Sequence, residues 1–118
     1  MSGSDPPPVW SIVKVPYPYT DRSVRQNRPA LVVARTGAGA GLPLLWVLMI
    51  TSAANRGWAG DVAISDLGAA GLPAPSIVRA EKIATVDARE VSVLGVLPEA
   101  DRPAVAARLR AIVADASA

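Results

Sequence analysis

The 118-residue chain contains no cysteine and no histidine, and phenylalanine is missing as well. Without cysteine there can be no disulfide, no thiolate nucleophile and no cysteine-bound zinc. Without histidine the commonest general base and the commonest metal ligand are both gone. Any chemistry must therefore use Arg, Lys, Asp, Glu, Ser, Thr, Tyr or backbone groups, and no cofactor is expected. A cysteine-free chain is compatible with a reducing compartment, and a cytoplasmic location is the expectation. Long hydrophobic runs are absent too. The longest, Leu42 to Ile50, falls far short of the ~20 residues of a membrane helix, and Pro43 interrupts it, so no membrane partner is expected. The start, Met1-Ser-Gly-Ser-Asp-Pro-Pro-Pro, has neither the basic onset nor the apolar stretch of a signal peptide.

What is present points to a compact core. Hydrophobic residues make up 51% of the chain, carried by Val, Ala, Leu and Ile. The length suits one domain, expected over residues 9–118 behind a disordered lead-in at 1–8. Roughly two-thirds of the unfolded chain's surface is buried at this size. Net charge is only +2 but unevenly placed. Residues 1–60 hold six basic side chains against Asp5 and Asp21, whereas residues 61–118 hold six basic against eight acidic. The first half can attract a polyanion, or can simply be an Arg-rich solvated surface.

Along the chain, Val9 to Val15 reads as a strand stopped by Pro16 and Pro18. Tyr17 to Asn27 is a polar, proline-punctuated loop, and Arg28 to Arg35 is a second strand with Pro29 tolerable only near its start. Gly37-Ala-Gly39-Ala-Gly41 leads into a third strand, Leu44 to Thr51. A phosphate-cradling loop would instead open a helix, so a hairpin turn is expected here. Ser52 to Gly60 should contain a short helical turn, Asp61 to Ser65 a fourth strand, and Asp66 to Pro75 a loop. Two further short strands follow at Ser76–Glu81 and Val91–Leu97. Pro98 opens a helix of about fifteen residues, with Glu99 and Asp101 at its start and Arg108 and Arg110 near its end, as the helix dipole favours. Val105, Leu109, Ile112 and Val113 form its apolar stripe. The expected fold is mainly β: a small barrel or half-barrel of five to seven antiparallel strands with a C-terminal helix.

Four blocks then resemble one family. Trp10-Ser-Ile-Val-Lys-Val-Pro-Tyr-Pro-Tyr-Thr-Asp, Asn27-Arg-Pro-Ala-Leu-Val-Val, Met49-Ile-Thr-Ser and Ser76-Ile-Val-Arg-Ala-Glu-Lys-Ile-Ala-Thr-Val-Asp occur in the order of MazF/PemK toxins. The closing Leu94-Gly-Val-Leu-Pro and helix also fit, so the resemblance spans about residues 9 to 113. Pro7-Pro8 stands where the family usually has Gly-Asp or Gly-Glu. The resemblance implies an SH3-like barrel of the CcdB–MazF type. It implies a toxin of a type II toxin–antitoxin system that cuts single-stranded RNA without a metal, by attack of the 2′-hydroxyl on the adjacent phosphate. A homodimer and a cognate antitoxin are implied as partners.

The same resemblance singles out residues. Arg28 matches the family's catalytic arginine; a guanidinium can donate two parallel hydrogen bonds to a phosphate. Its plain alternative is a strand-end arginine in water. Thr51 matches the strand-end threonine whose hydroxyl meets the scissile phosphate, although such residues are commonly turn or cap residues. Arg79 and Glu81 match an Arg-x-acid pair used for proton transfer, with Glu81 as base and Arg79 as phosphate clamp. An i, i+2 spacing puts both on one strand face, and a surface ion pair or pairing with Arg28 is the other reading. Asp21, Arg22 and Arg25 fall on a loop that contacts RNA in the family, and Ser52 and Arg56 are further RNA-binding candidates. Ser52 also suits a cap of the turn that follows. Trp46 reads as core, while Trp58 and Tyr19 can stack on bases or be buried. Two other functions share this barrel: a CcdB-like poison of DNA gyrase, and a non-catalytic SH3-like binding module.

Overall fold

The computed structural model describes residues 6–18, 25–37, 43–55 and 57–117. Among them six strands, β1 (Ser11–Pro18), β2 (Arg25–Thr36), β3 (Leu44–Ser52), β4 (Asp61–Ala63), β5 (Ser76–Asp87) and β6 (Ser92–Val96), form one sheet in the order β4-β5-β3-β2-β1-β6. Every pairing in it is antiparallel. The helices α1 (Leu67–Ala70) and α2 (Arg102–Ser117) accompany it.

β2 and β3 carry near-continuous runs of aliphatic residues because both faces of the sheet are buried along them. Successive side chains alternate between faces, so β2 and β3 feed two cores. Leu31, Leu48 and Ile50 join Ile12, Val78, Leu97 and Val105 in the core beneath the helices. Ala30, Val32, Leu45, Val47 and Met49 join Val13 and Val15 in a second core. No helical residue of α1 or α2 belongs to that second core among the described residues; the strands curl around it, helped by Val86 and Val91. Register shifts between Ile12 and Val13, Val32 and Ala34, and Leu48 and Ile50 supply the bends, because a bulge increases local twist and lets a sheet roll up.

Short polar contacts set the helices on the sheet. Asp66 caps α1 by accepting from the Ala69 N–H at 3.1 Å. Gly95 is needed where α1 crosses β6: a Cβ there would overlap the Ala69 carbonyl oxygen. At the start of α2, the buried Asp101 accepts from the Ser65 N–H at 2.8 Å and the Ser65 hydroxyl at 3.0 Å. Trp10 has a φ of 79°, costly for a bulky side chain. Its N–H donates to the Val32 carbonyl and its carbonyl accepts from the Leu97 N–H, both at 2.8 Å, so the backbone pairing on either side imposes that angle.

The structure corrects several expectations. β1 reaches Pro18 and β2 begins at Arg25, so the loop between them is shorter than Tyr17–Asn27. Asp66–Pro75 holds the one-turn helix α1. β5 does not stop at Glu81 but runs to Asp87, because its second half pairs with β3 from Leu48↔Ile83 to Leu44↔Asp87. Trp46 is not core: it is 45% exposed. Only the first half of the α2 stripe is used, with Val105 fully buried and Ile112 46% exposed. The helical turn expected after Ser52 is present at Ala53–Asn55. Asp21, Arg22, Arg56 and Tyr19 lie outside the described residues, as does most of the 1–8 lead-in, and only the backbone of Arg25 is described.

Candidate active site where β2 and β3 part

β2 and β3 pair inward from Ala30↔Met49, yet both strands continue outward past that pair. Pro29 has no N–H to offer a neighbouring strand, and the β2–β3 ladder ends there. The strands separate into an open cleft of about 460 Å³, walled on its far side by the segment from Leu72 to Ser76. Arg28 and Thr51 both line it, as do Asn27, Ser52 and Asn55. The convergence follows from strand geometry. Arg28 is two residues beyond Ala30, and Thr51 two beyond Met49, so each shares the face of its buried neighbour. The sequence places the two 23 positions apart; the hairpin of β2 and β3 makes them neighbours.

The cleft is furnished by the 3-10 turn at Ala53–Asn55. The Ser52 hydroxyl accepts from the Ala54 N–H at 3.2 Å, which makes Ser52 the cap of that turn. The Asn55 side-chain amide donates to the Thr51 hydroxyl oxygen at 3.1 Å.

Neither Arg79 nor Glu81 is among the residues that line this cleft. Between them β5 slips against β3: Leu48 faces Ile83 while Ile50 faces Val78, so two steps along β3 span five along β5. That bulge breaks the alternation on which a shared face depends. Arg79 is only 9% exposed, and its Nε and Nη2 donate to the two carboxylate oxygens of Asp61, each at 3.1 Å. Nη2 also donates to the Asn55 carbonyl at 2.7 Å, and the Trp58 ring lies 4.1 Å from the guanidinium carbon. The backbone N–H groups of Gly57 and Trp58 complete the Asp61 carboxylate, both at 3.1 Å. The Arg79 guanidinium holds the Asp61 carboxyl below its ordinary pKa, and the two backbone donors add to this against the opposing effect of burial. Glu81 is exposed and lines a separate shallow depression with Gly60, Arg108 and Ile112. Among the described residues no three metal-ligating side chains gather together.

Sequence reasoning misses Asn55 and Asp61. Asp61 carries a signal: an Asp that opens a strand is in a position where Asp is depleted and calls for a partner. Asn55 carries none beyond its closeness to Thr51.

A coiled six-stranded antiparallel sheet with a C-terminal helix, and a cleft lined by Arg28 and Thr51, define a small half-barrel with an anion-suited mouth. Residues 9–113 match the family described as the PemK-like, MazF-like toxin of type II toxin–antitoxin systems, and the chain belongs to that family. Solved structures share its fold. The Mycobacterium tuberculosis toxin MazF-mt6 is 24% identical, over 86% of this chain and 93% of that one, with a TM-score of 0.65. A MazE–MazF structure from Deinococcus radiodurans (Form-III) is 20% identical over 92% and 96%, with a TM-score of 0.71. A mycobacterial endoribonuclease in complex with its cognate antitoxin is 17% identical over 92% and 95%, with a TM-score of 0.70. A comparison with curated proteins finds no match. Among the described residues no helix is long and apolar enough to cross a membrane.

Proposed function

We propose that this toxin is an endoribonuclease that cuts single-stranded RNA in the Arg28–Thr51 cleft. One observation carries the reading: the two residues that can grip a phosphate share one open cleft, at the point where Pro29 lets two strands part. In the reaction the ribose 2′-hydroxyl loses its proton to water as its oxygen bonds to the adjacent phosphorus, and the 5′-oxygen takes a proton from water as its bond to phosphorus breaks. A 2′,3′-cyclic phosphate and a 5′-hydroxyl result. Negative charge grows on the phosphoryl oxygens on the way, and the Arg28 guanidinium and Thr51 hydroxyl donate hydrogen bonds to them. Donors placed where charge develops lower the barrier most. A channel open to solvent admits an RNA strand, and no step calls on histidine, cysteine or a metal.

A cognate antitoxin is the proposed protein partner, in keeping with the MazE–MazF complexes among the structures of like fold. A homodimer is proposed with it; exposed apolar side chains, including Trp46, Ile83 and Ile112, suit such contacts.

The test is incubation of the purified chain with mixed-sequence single-stranded RNA in EDTA. Cleavage is expected to persist in the chelator and to leave cyclic-phosphate ends. Arg28→Ala and Thr51→Ala should each lower kcat/KM by about 10²–10³-fold, the scale of a lost transition-state donor. Intact RNA after incubation with the folded wild-type chain overturns the reading, and would favour the non-catalytic module.

A further inference from the structure

We propose that Asn55 is a positioning residue that aims the Thr51 hydroxyl into the cleft, and that the buried Arg79–Asp61 pair holds Asn55 in place. The inference rests on the reading of Thr51 as a phosphate contact.

A threonine hydroxyl has one hydrogen to donate and two lone pairs to accept with. The Asn55 amide donates to Thr51 Oγ1 at 3.1 Å and so occupies a lone pair. The single hydrogen of Thr51 is thereby turned away from Asn55 and left for a phosphate oxygen in the cleft that both residues line. An unaided hydroxyl would rotate among several acceptors; this one is oriented before substrate arrives.

Asn55 closes an exposed one-turn segment, so its own position needs an anchor. Arg79 is that anchor. Its Nη2 reaches the Asn55 carbonyl at 2.7 Å while Nε and Nη2 grip both Asp61 oxygens. Asp61 in turn accepts from the Gly57 and Trp58 N–H groups, so the chain on the far side of Asn55 is tied to the same pair. The Trp58 ring covers the guanidinium. Arg79 therefore acts on the cleft through Asn55 and does not clamp a phosphate itself. Lysine cannot substitute, since a point ammonium lacks the planar fork that serves a carboxylate and a carbonyl together.

The experiment is a double-mutant cycle on single-stranded RNA cleavage, with side-chain amide NMR alongside. Asn55→Ala should lower kcat about tenfold with little change in KM, the worth of one well-placed hydrogen bond. In a Thr51→Ala background Asn55→Ala should cost almost nothing more, because residues that act as a unit are not additive. Asn55→Asp should fall below Asn55→Ala, since a carboxylate can only accept and would take the Thr51 hydrogen. Arg79→Lys should lower kcat while Asn55 and Thr51 remain in the chain. Thr51→Val should move the Asn55 side-chain amide resonances, a readout independent of catalysis. Additive losses at Thr51 and Asn55, or an Asn55 amide indifferent to both Thr51→Val and Arg79→Lys, overturn the proposal. If the wild-type chain leaves RNA intact, the ribonuclease reading fails by itself, and the amide shifts decide the Asn55–Thr51 contact.

Discussion

Asp101 is buried, and its carboxylate answers two donors of one residue, the Ser65 N–H and the Ser65 hydroxyl. Truncation to alanine leaves a backbone N–H without that acceptor, and an unsatisfied polar group of this kind costs about 1–3 kcal/mol. Asp101→Ala should therefore lower the stability measured by urea unfolding by that amount, with cleavage per folded molecule unchanged because the cleft is built elsewhere. A smaller loss, within about 0.5 kcal/mol, would mean that the contact is merely local decoration. The same contrast between string and contact explains what can be read of the candidate site from sequence. Arg28 and Thr51 stand out because each belongs to a short string that survives as a pattern. Asp61 and Asn55 do not, because their partners are Arg79 and Thr51, and which oxygen meets which nitrogen is decided by folding. Arg79 bonds to Asp61 and to the Asn55 carbonyl, and nothing in Arg-Ala-Glu foretells that a bulge will bury one end and expose the other.

At the level of elements, period-2 and period-3.6 patterns predict five of the six strands within a few residues and the final helix. The expected β5 stops short because Glu81 and Lys82 read as the end of an apolar run, whereas they are the exposed residues of its bulge. The expected apolar stripe of α2 is too long for a like reason. Hydrophobic spacing shows which residues share a face but not how far the partner surface extends. Val105 is fully buried against the sheet and Ile112 is nearly half exposed. Two substitutions should separate the halves. Val105→Ala removes two buried carbon groups and should cost about 1.5–3 kcal/mol, transfer and cavity together. Ile112→Ala, measured where the chain is monomeric, should stay within about 0.5 kcal/mol. Equal losses from thermal or urea unfolding would show that the helix is anchored along its whole length.

For the whole molecule, the missing histidines and the paired aspartates shape the response to pH. With no histidine to change charge near neutrality, stability should be flat from about pH 6 to 8. The acid side differs. Arg79 holds Asp61 below its ordinary carboxylate value, and Arg89 draws Asp87 down to about 2 through its side chain and its backbone N–H. A carboxyl whose pKa is lower in the folded chain than in the unfolded one favours folding wherever it is ionised in both states. That contribution is complete above the unfolded value near ~4 and disappears as pH falls through the folded value, since the unfolded chain binds the proton first. Stability should therefore decline between about pH 4 and 2. Asp61 and Asp87 should both contribute to the decline, the Asp87 contact being partly screened by water because its arginine partner is two-thirds exposed. The check is urea unfolding of wild type and Asp61→Asn at several pH values. The variant should be the weaker at pH 7 and approach the wild type toward pH 2, because the wild type alone has that ionised contact to lose. If the two curves stay parallel to pH 2, Asp61 is not held low in the folded chain. The tie from Asp61 through Arg79 to the turn bearing Asn55 would then be far looser than its geometry.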